Sequence, residues 1–111
     1  MTEPLIDPTT FEDLKAAAGA DFVAELVGTF LEEAPPLLAE LRASRAEGAA
    51  DRFKRAAHSL KTNAQTFGAL RLGEQARALE LGGLPVNAAA LDALDTAYAA
   101  AAAALEALRH G

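Results

Sequence analysis

His58 is the residue of this sequence best equipped for chemistry. Around it Phe53, Ala57, Leu60, Ala64 and Phe67 recur every three or four residues, the spacing of one buried helical stripe. At about 100° per residue, His58 points about 140° away from the centre of that stripe. Lys54, Lys61, Gln65, Thr62 and Arg55 fall on the same outward arc. Lys54 stands one turn before the histidine, and Lys61 and Thr62 one turn after it. The expected site is an exposed imidazole ringed by cations. Nearby positive charge disfavours the imidazolium, which leaves a lone pair available for nucleophilic attack. The same cations would stabilise a phosphoryl group arriving on that nitrogen. A plain solvated helix face has the same pattern, so spacing alone leaves both readings open.

The charge distribution sets this segment apart. The 111-residue chain has 16 acidic and 10 basic residues, a net charge of −6, and a pI near 4.8. Yet Arg52, Lys54, Arg55, Lys61, Arg71 and Arg77 gather around His58, with Glu74 and Glu80 as the nearby acids. The acidic whole makes nucleic acid and anionic membranes poor partners. Without cysteine there is no disulfide framework, thiolate metal site or thiol nucleophile. No metal ligand stands three or four residues from His58, so no metal site is expected. His110 reads as a frayed tail residue.

The elements that must position His58 read as helices throughout. Apolar residues make up 51% of the chain and charged ones 23%, a globular balance, and no run alternates with the period of a strand. Asp7-Pro8 should open a short helix that ends at Gly19. Asp21 should cap a second, with Phe22, Val23, Leu26, Val27, Phe30, Leu37, Leu38 and Leu41 on its apolar face; Pro35-Pro36 should bend it or break it in two, and the pattern resuming in phase favours the bend. Asp51 should cap the third helix, running to about Phe67 before Gly68. A fourth should cover about Ala69 to Leu81, and Pro85 and Asn87 should open the fifth, with Leu91, Leu94, Tyr98, Ala101, Leu105 and Leu108 inward. The expected fold is all-α, an antiparallel up-and-down four-helix bundle with a short N-terminal capping helix, forming one domain over residues 1–111. The acidic start lacks a signal-peptide core, and the alanine-rich end carries Asp92, Asp95 and Glu106, so a soluble cytoplasmic protein is expected. A bundle that buries its own core is expected to be a monomer, with the exposed alanines of the last helix leaving a dimer open.

The segment from Ala57 to Ala69, AHSLKTNAQTFGA, resembles the signature of histidine-containing phosphotransfer (HPt) domains. His58, Leu60, Lys61, Gly68 and Ala69 match it in place, and Leu72, Ala76, Leu79 and Glu80 resemble the family's next helix. Upstream, FLEEAPPLLAELRAS resembles its long second helix. Thr62 departs from the pattern, standing where the family usually has glycine; its hydroxyl could donate to a phosphoryl oxygen or bond back to the carbonyl of His58.

The resemblance implies a phosphorelay intermediate of a multistep two-component system. His58 would accept a phosphoryl group from a receiver-domain aspartate and pass it to another receiver. Lys61 would stabilise the phosphoryl oxygens, Thr62 and Gln65 would offer hydrogen bonds, and Lys54 and Arg55 would steer an acidic partner. The protein would be a carrier and not an enzyme, with no ATP site and no cofactor of its own; Mg²⁺ would belong to the receiver. Its partners would be response-regulator receiver domains and a hybrid histidine kinase. Two other readings are a catalytically silent adaptor that binds a receiver and a histidine-kinase dimerisation and phosphoacceptor domain. Against the latter, Ser59 follows the histidine where an acidic residue is usual.

Overall fold

The computed structural model describes residues 5–110, apart from the side chain of His110, so the reading of that side chain lies outside the described residues. Its first helix, α1 (Pro8–Ala18), begins where Asp7 Oδ2 accepts hydrogen bonds from the Thr10 amide at 3.0 Å and the Thr10 hydroxyl at 2.6 Å. Pro8 occupies the first turn, where its missing N–H costs nothing. These bonds hold the Asp7 carboxyl below the usual carboxylate range. Gly19, at φ 92°, closes α1 and caps α2 (Ala20–Ala46).

Helix α2 runs unbroken through Pro35 and Pro36. Both prolines are exposed, so water can reach carbonyls left without a helical donor. The break considered from sequence does not occur. Helix α3 covers Ala50–Thr66, α4 Leu70–Gly82 and α5 Ala89–His110. Asp21 and Asp51 do not cap their helices: Gly19 and Ala49 stand at those positions, without side-chain capping bonds. Both aspartates lie in the first turn, where a carboxylate still favours the positive end of the helix dipole. Asn87 Oδ1 accepts from the Ala89 amide at 2.9 Å and starts α5.

Among the described residues the five helices are the only regular elements. Helix α2 packs against α3 and α5, α4 packs against the same two, and α1 lies against α2. The core between them holds Val23, Val27, Phe30, Leu41, Phe53, Leu60, Leu72, Leu94 and Leu105, all at most 3% exposed. Phe30 sits 5.5 Å from Phe67 and 6.0 Å from Tyr98, ring centre to ring centre, the latter edge-on. Two residues assigned inward from spacing lie outside. Phe22 is 52% exposed, because Val23, about 100° further round, takes the inward position at the start of α2; Leu108 is exposed near the end of α5.

One junction sets how α3 meets α4. Gly68 has φ 82°, and its carbonyl accepts from the Asp7 amide at 2.8 Å. A Cβ there would stand 3.0 Å from both Asp7 O and Thr10 Cβ. Glycine therefore serves twice, for the left-handed turn and for the close pass of the chain leading into α1.

Candidate functional site

The four stripe residues of α3, and Phe67 at its C-terminal cap, are at most 4% exposed, which turns the opposite arc of the helix to solvent. On that arc the His58 side chain is 58% exposed. Lys54, Arg55, Thr62 and Gln65 are exposed as well, while Lys61 leans toward α4 and keeps only 19% of its side-chain surface.

The ring does not stand among cations alone. Glu80 reaches across from α4, and its Oε2 lies 2.7 Å from His58 Nδ1. Its Oε1 accepts a hydrogen bond from Lys61 Nζ, also at 2.7 Å. One carboxylate thus bridges the imidazole and the ammonium. The Lys61 and His58 contacts hold the Glu80 carboxyl below the usual carboxylate range. An ionised carboxylate can only accept, so at this distance the proton between them belongs to Nδ1. In the neutral ring the other nitrogen, Nε2, then carries the lone pair, and it has no hydrogen-bond partner among the described residues.

The backbone explains why Glu80 reaches this far. Gly73, Ala76 and Glu80 stand at i, i+3 and i+7 on one face of α4. Ala76 is fully buried, and a Cβ on Gly73 would stand 3.0 Å from Gln65 Cγ. The absent side chain lets the two helices approach, and one turn beyond Ala76 the Glu80 carboxylate arrives beside His58. The Glu80 side chain is only 11% exposed, so the imidazole is the open member of the trio.

The remaining expected residues divide. Gln65 lays its stem over Gly73, and the Thr62 hydroxyl makes no hydrogen bond among the described residues; the Thr62 carbonyl accepts from the Thr66 hydroxyl at 3.0 Å. The back-bond from Thr62 to the His58 carbonyl is therefore not formed. Arg52 leaves the patch for α2, donating to Glu40 at 2.6 Å and Glu47 at 3.1 Å. These contacts hold the Glu40 carboxyl below the usual range, with a contribution from Arg55. Sequence reasoning placed Glu80 near the patch but not on the histidine. The signal that could have found it is the seven-residue step from Gly73 along the face of α4 that buries Ala76.

A model of the Hpt domain family matches residues 25–107, and the chain belongs to that family. Hpt domains are phosphotransfer carriers of two-component signalling, not classical enzymes, and they work with receiver domains and histidine kinases. No curated protein and no solved structure gives a significant match. Among the described residues, no helix is long and apolar enough to cross a membrane.

Proposed function

We propose that this Hpt domain is the intermediate of a multistep phosphorelay, with His58 as its phosphoryl carrier. The observation that carries the reading is the half-open imidazole whose Nδ1 is taken by Glu80 at 2.7 Å, which leaves Nε2 as the nucleophile. The Nε2 lone pair attacks the phosphorus of a receiver's aspartyl phosphate. The P–O bond to the aspartate breaks, its electron pair returns to that carboxylate, and the Nδ1 proton stays in place against Glu80. A second receiver reverses the step. Positioning and charge do most of the work in such transfers, so one well-held nucleophile and a few cations suffice.

Lys61 supports the site in two ways: it anchors Glu80 and adds positive charge one turn from the incoming phosphoryl group. Lys54 and Arg55 steer an acidic receiver pocket, which brings the Mg²⁺, toward the ring. Thr62 and Gln65 offer hydrogen bonds at the rim. The pairing of α2 with α3 and α5, and of α4 with both, supports an antiparallel up-and-down four-helix bundle with α1 as its cap. We further propose a cytoplasmic location, and a monomer, since this arrangement buries its own core.

The test is transfer from a phosphorylated receiver. The expected product is an acid-labile, alkali-stable label on the protein, absent from His58→Gln while the circular dichroism of the fold is retained. A label that survives in His58→Gln removes the assignment of the site. No label from any receiver leaves the silent adaptor in its place.

A further inference from the structure

The contact between Glu80 and His58 bears on the phosphorylated protein as well as the free one. With a phosphoryl group on Nε2 and a proton on Nδ1, the ring is a cation. If it loses that proton, the group that must depart in the next transfer is an imidazolate, a strong base and a poor leaving group. If it keeps the proton, a neutral imidazole departs.

We propose that Glu80 is a positioning residue for the second half of the cycle: its carboxylate retains the Nδ1 proton on phosphorylated His58, so that onward transfer needs no proton from solvent. The inference rests on the assignment of His58 as carrier. In the step, a receiver carboxylate oxygen bonds to phosphorus, the Nε2–P bond breaks, and its electron pair returns to Nε2. The Nδ1–H bond is untouched, and the ring passes from cation to neutral imidazole. Hydrolysis follows the same course with water as nucleophile, the water proton going to solvent.

Three features suit Glu80 to this task. It is a full negative charge 2.7 Å from Nδ1, and it is sheltered, with 11% of its side chain exposed, so its attraction for a ring cation is weakly screened. Lys61 Nζ occupies the other oxygen at 2.7 Å. That second contact keeps the carboxyl from taking the proton itself, consistent with its lowered pKa. The other charged residues on the surrounding elements make no ion pair with the ring among the described residues. On α3, Lys54 and Arg55 are exposed; on α4, Arg71, Glu74 and Arg77 are exposed; from α2, Glu32 and Glu33 share a groove with Ser59 and Asn63 of α3, which His58 does not line. None of them is hydrogen-bonded to the ring.

The experiment compares the native protein with Glu80→Gln. An amide still accepts from Nδ1–H and keeps the ring oriented, but it lacks the charge. Both proteins are phosphorylated with phosphoramidate, which needs no receiver, and hydrolysis and transfer to a receiver are followed from about pH 6 to about pH 9. For the native protein we expect a nearly flat profile through neutrality. For Glu80→Gln the rate should fall as pH rises, reaching about tenfold below native at the alkaline end, with the two rates converging in acid. Nitrogen NMR of phosphorylated His58 should find Nδ1 protonated at about pH 8 in the native protein only. Parallel profiles, or identical Nδ1 protonation in both proteins, overturn the role of Glu80 and leave His58 as carrier. Absence of label on His58 in the native protein overturns both.

Discussion

Two of the ion clusters that tie helices of this domain together are mirror images in charge. Between α2 and α5, one cation serves two anions: Arg42 Nη2 donates to Asp92 at 2.7 Å and to Asp95 at 2.5 Å. Between α3 and α4, one anion serves two bases, with Glu80 bridging Lys61 and His58. The first cluster is open to solvent at every member, whereas the second shelters its carboxylate and exposes only the imidazole. The bonds around Arg42 join permanent charges, and neither carboxylate nor guanidinium is left as a good nucleophile. In the Glu80 cluster each base spends one contact, and the imidazole retains a second nitrogen with a lone pair. The same kind of bond is thus structural in one interface and preparatory in the other, and the difference is which group sits in the middle.

Removing the floor beneath the reactive cluster should have the largest effect. Leu60, between His58 and Lys61 in sequence but fully buried, fills the core under α3. Leu60→Ala should cost about 2–5 kcal/mol in denaturant unfolding through the cavity it leaves. A loss of under about 1 kcal/mol would mean that the core collapses around the gap. Separating the helices comes next. Gly73→Leu places side-chain atoms where a Cβ alone already stands 3.0 Å from Gln65 Cγ. We expect about 1–3 kcal/mol of destabilisation and a slower transfer from His58, because α4 carries Glu80 away with it. Gly82→Ala, at a helical glycine with nothing within 4 Å of the added atom, is the control. It should be neutral or stabilising by up to about 1 kcal/mol and leave transfer unchanged. Equal effects of the two substitutions in melts and transfer assays would show that the close approach at Gly73 is incidental.

Acid should act on the carboxylates in these contacts. Glu80 and Glu40 both have carboxyls held below the usual value of 4.5 by their basic partners. A lowered folded-state value means stability that is complete above the unfolded value and lost as pH falls through the folded one. The melting temperature should therefore hold down to about pH 5 and decline below it, more steeply in the native protein than in a Glu40→Gln, Glu80→Gln double variant. Equal declines would locate the acid sensitivity elsewhere.

How much of this was legible in the sequence follows the range of the forces involved. The stripe from Phe53 to Phe67 and the outward arc bearing His58 depend on helical spacing within one element, and both stand where spacing put them. Asp7 and Gly19 act locally through a capping bond and a positive φ, and they too were readable. The starts of α2 and α3 were not, since two aspartates near a helix start look alike whether they cap it or lie in its first turn. Phe22 was misplaced because whether its apolar ring lies inside depends on which neighbour reaches the core first. The Glu80 contact is hidden for a different reason. It joins residues 22 apart: the step from Gly73 to Glu80 gives the face of α4, but which residue of α3 that face meets is set by the geometry of the turn at Gly68 and the close approach at Gly73.

The smallest effect should come from the cluster that only holds. Arg42→Gln removes a cation shared by two carboxylates, each within reach of solvent. Exposed ion pairs gain little over their hydrated parts, and salt screens what they gain. Two close aspartates on α5 will then repel, so the melting temperature should fall slightly at low ionic strength. About 1 M salt should erase most of that difference, since the screening length shrinks to about 3 Å. Transfer from His58 should be unchanged, because Arg42 ties α2 to α5 while the reactive trio is held between α3 and α4. The contrast with Glu80→Gln then becomes measurable on one pair of axes: one substitution moves melting with salt and spares transfer, the other moves the pH profile of transfer. If Arg42→Gln slows transfer several-fold at full helicity, the two interfaces are mechanically coupled through the core, and their separation into a holding and a reacting cluster fails.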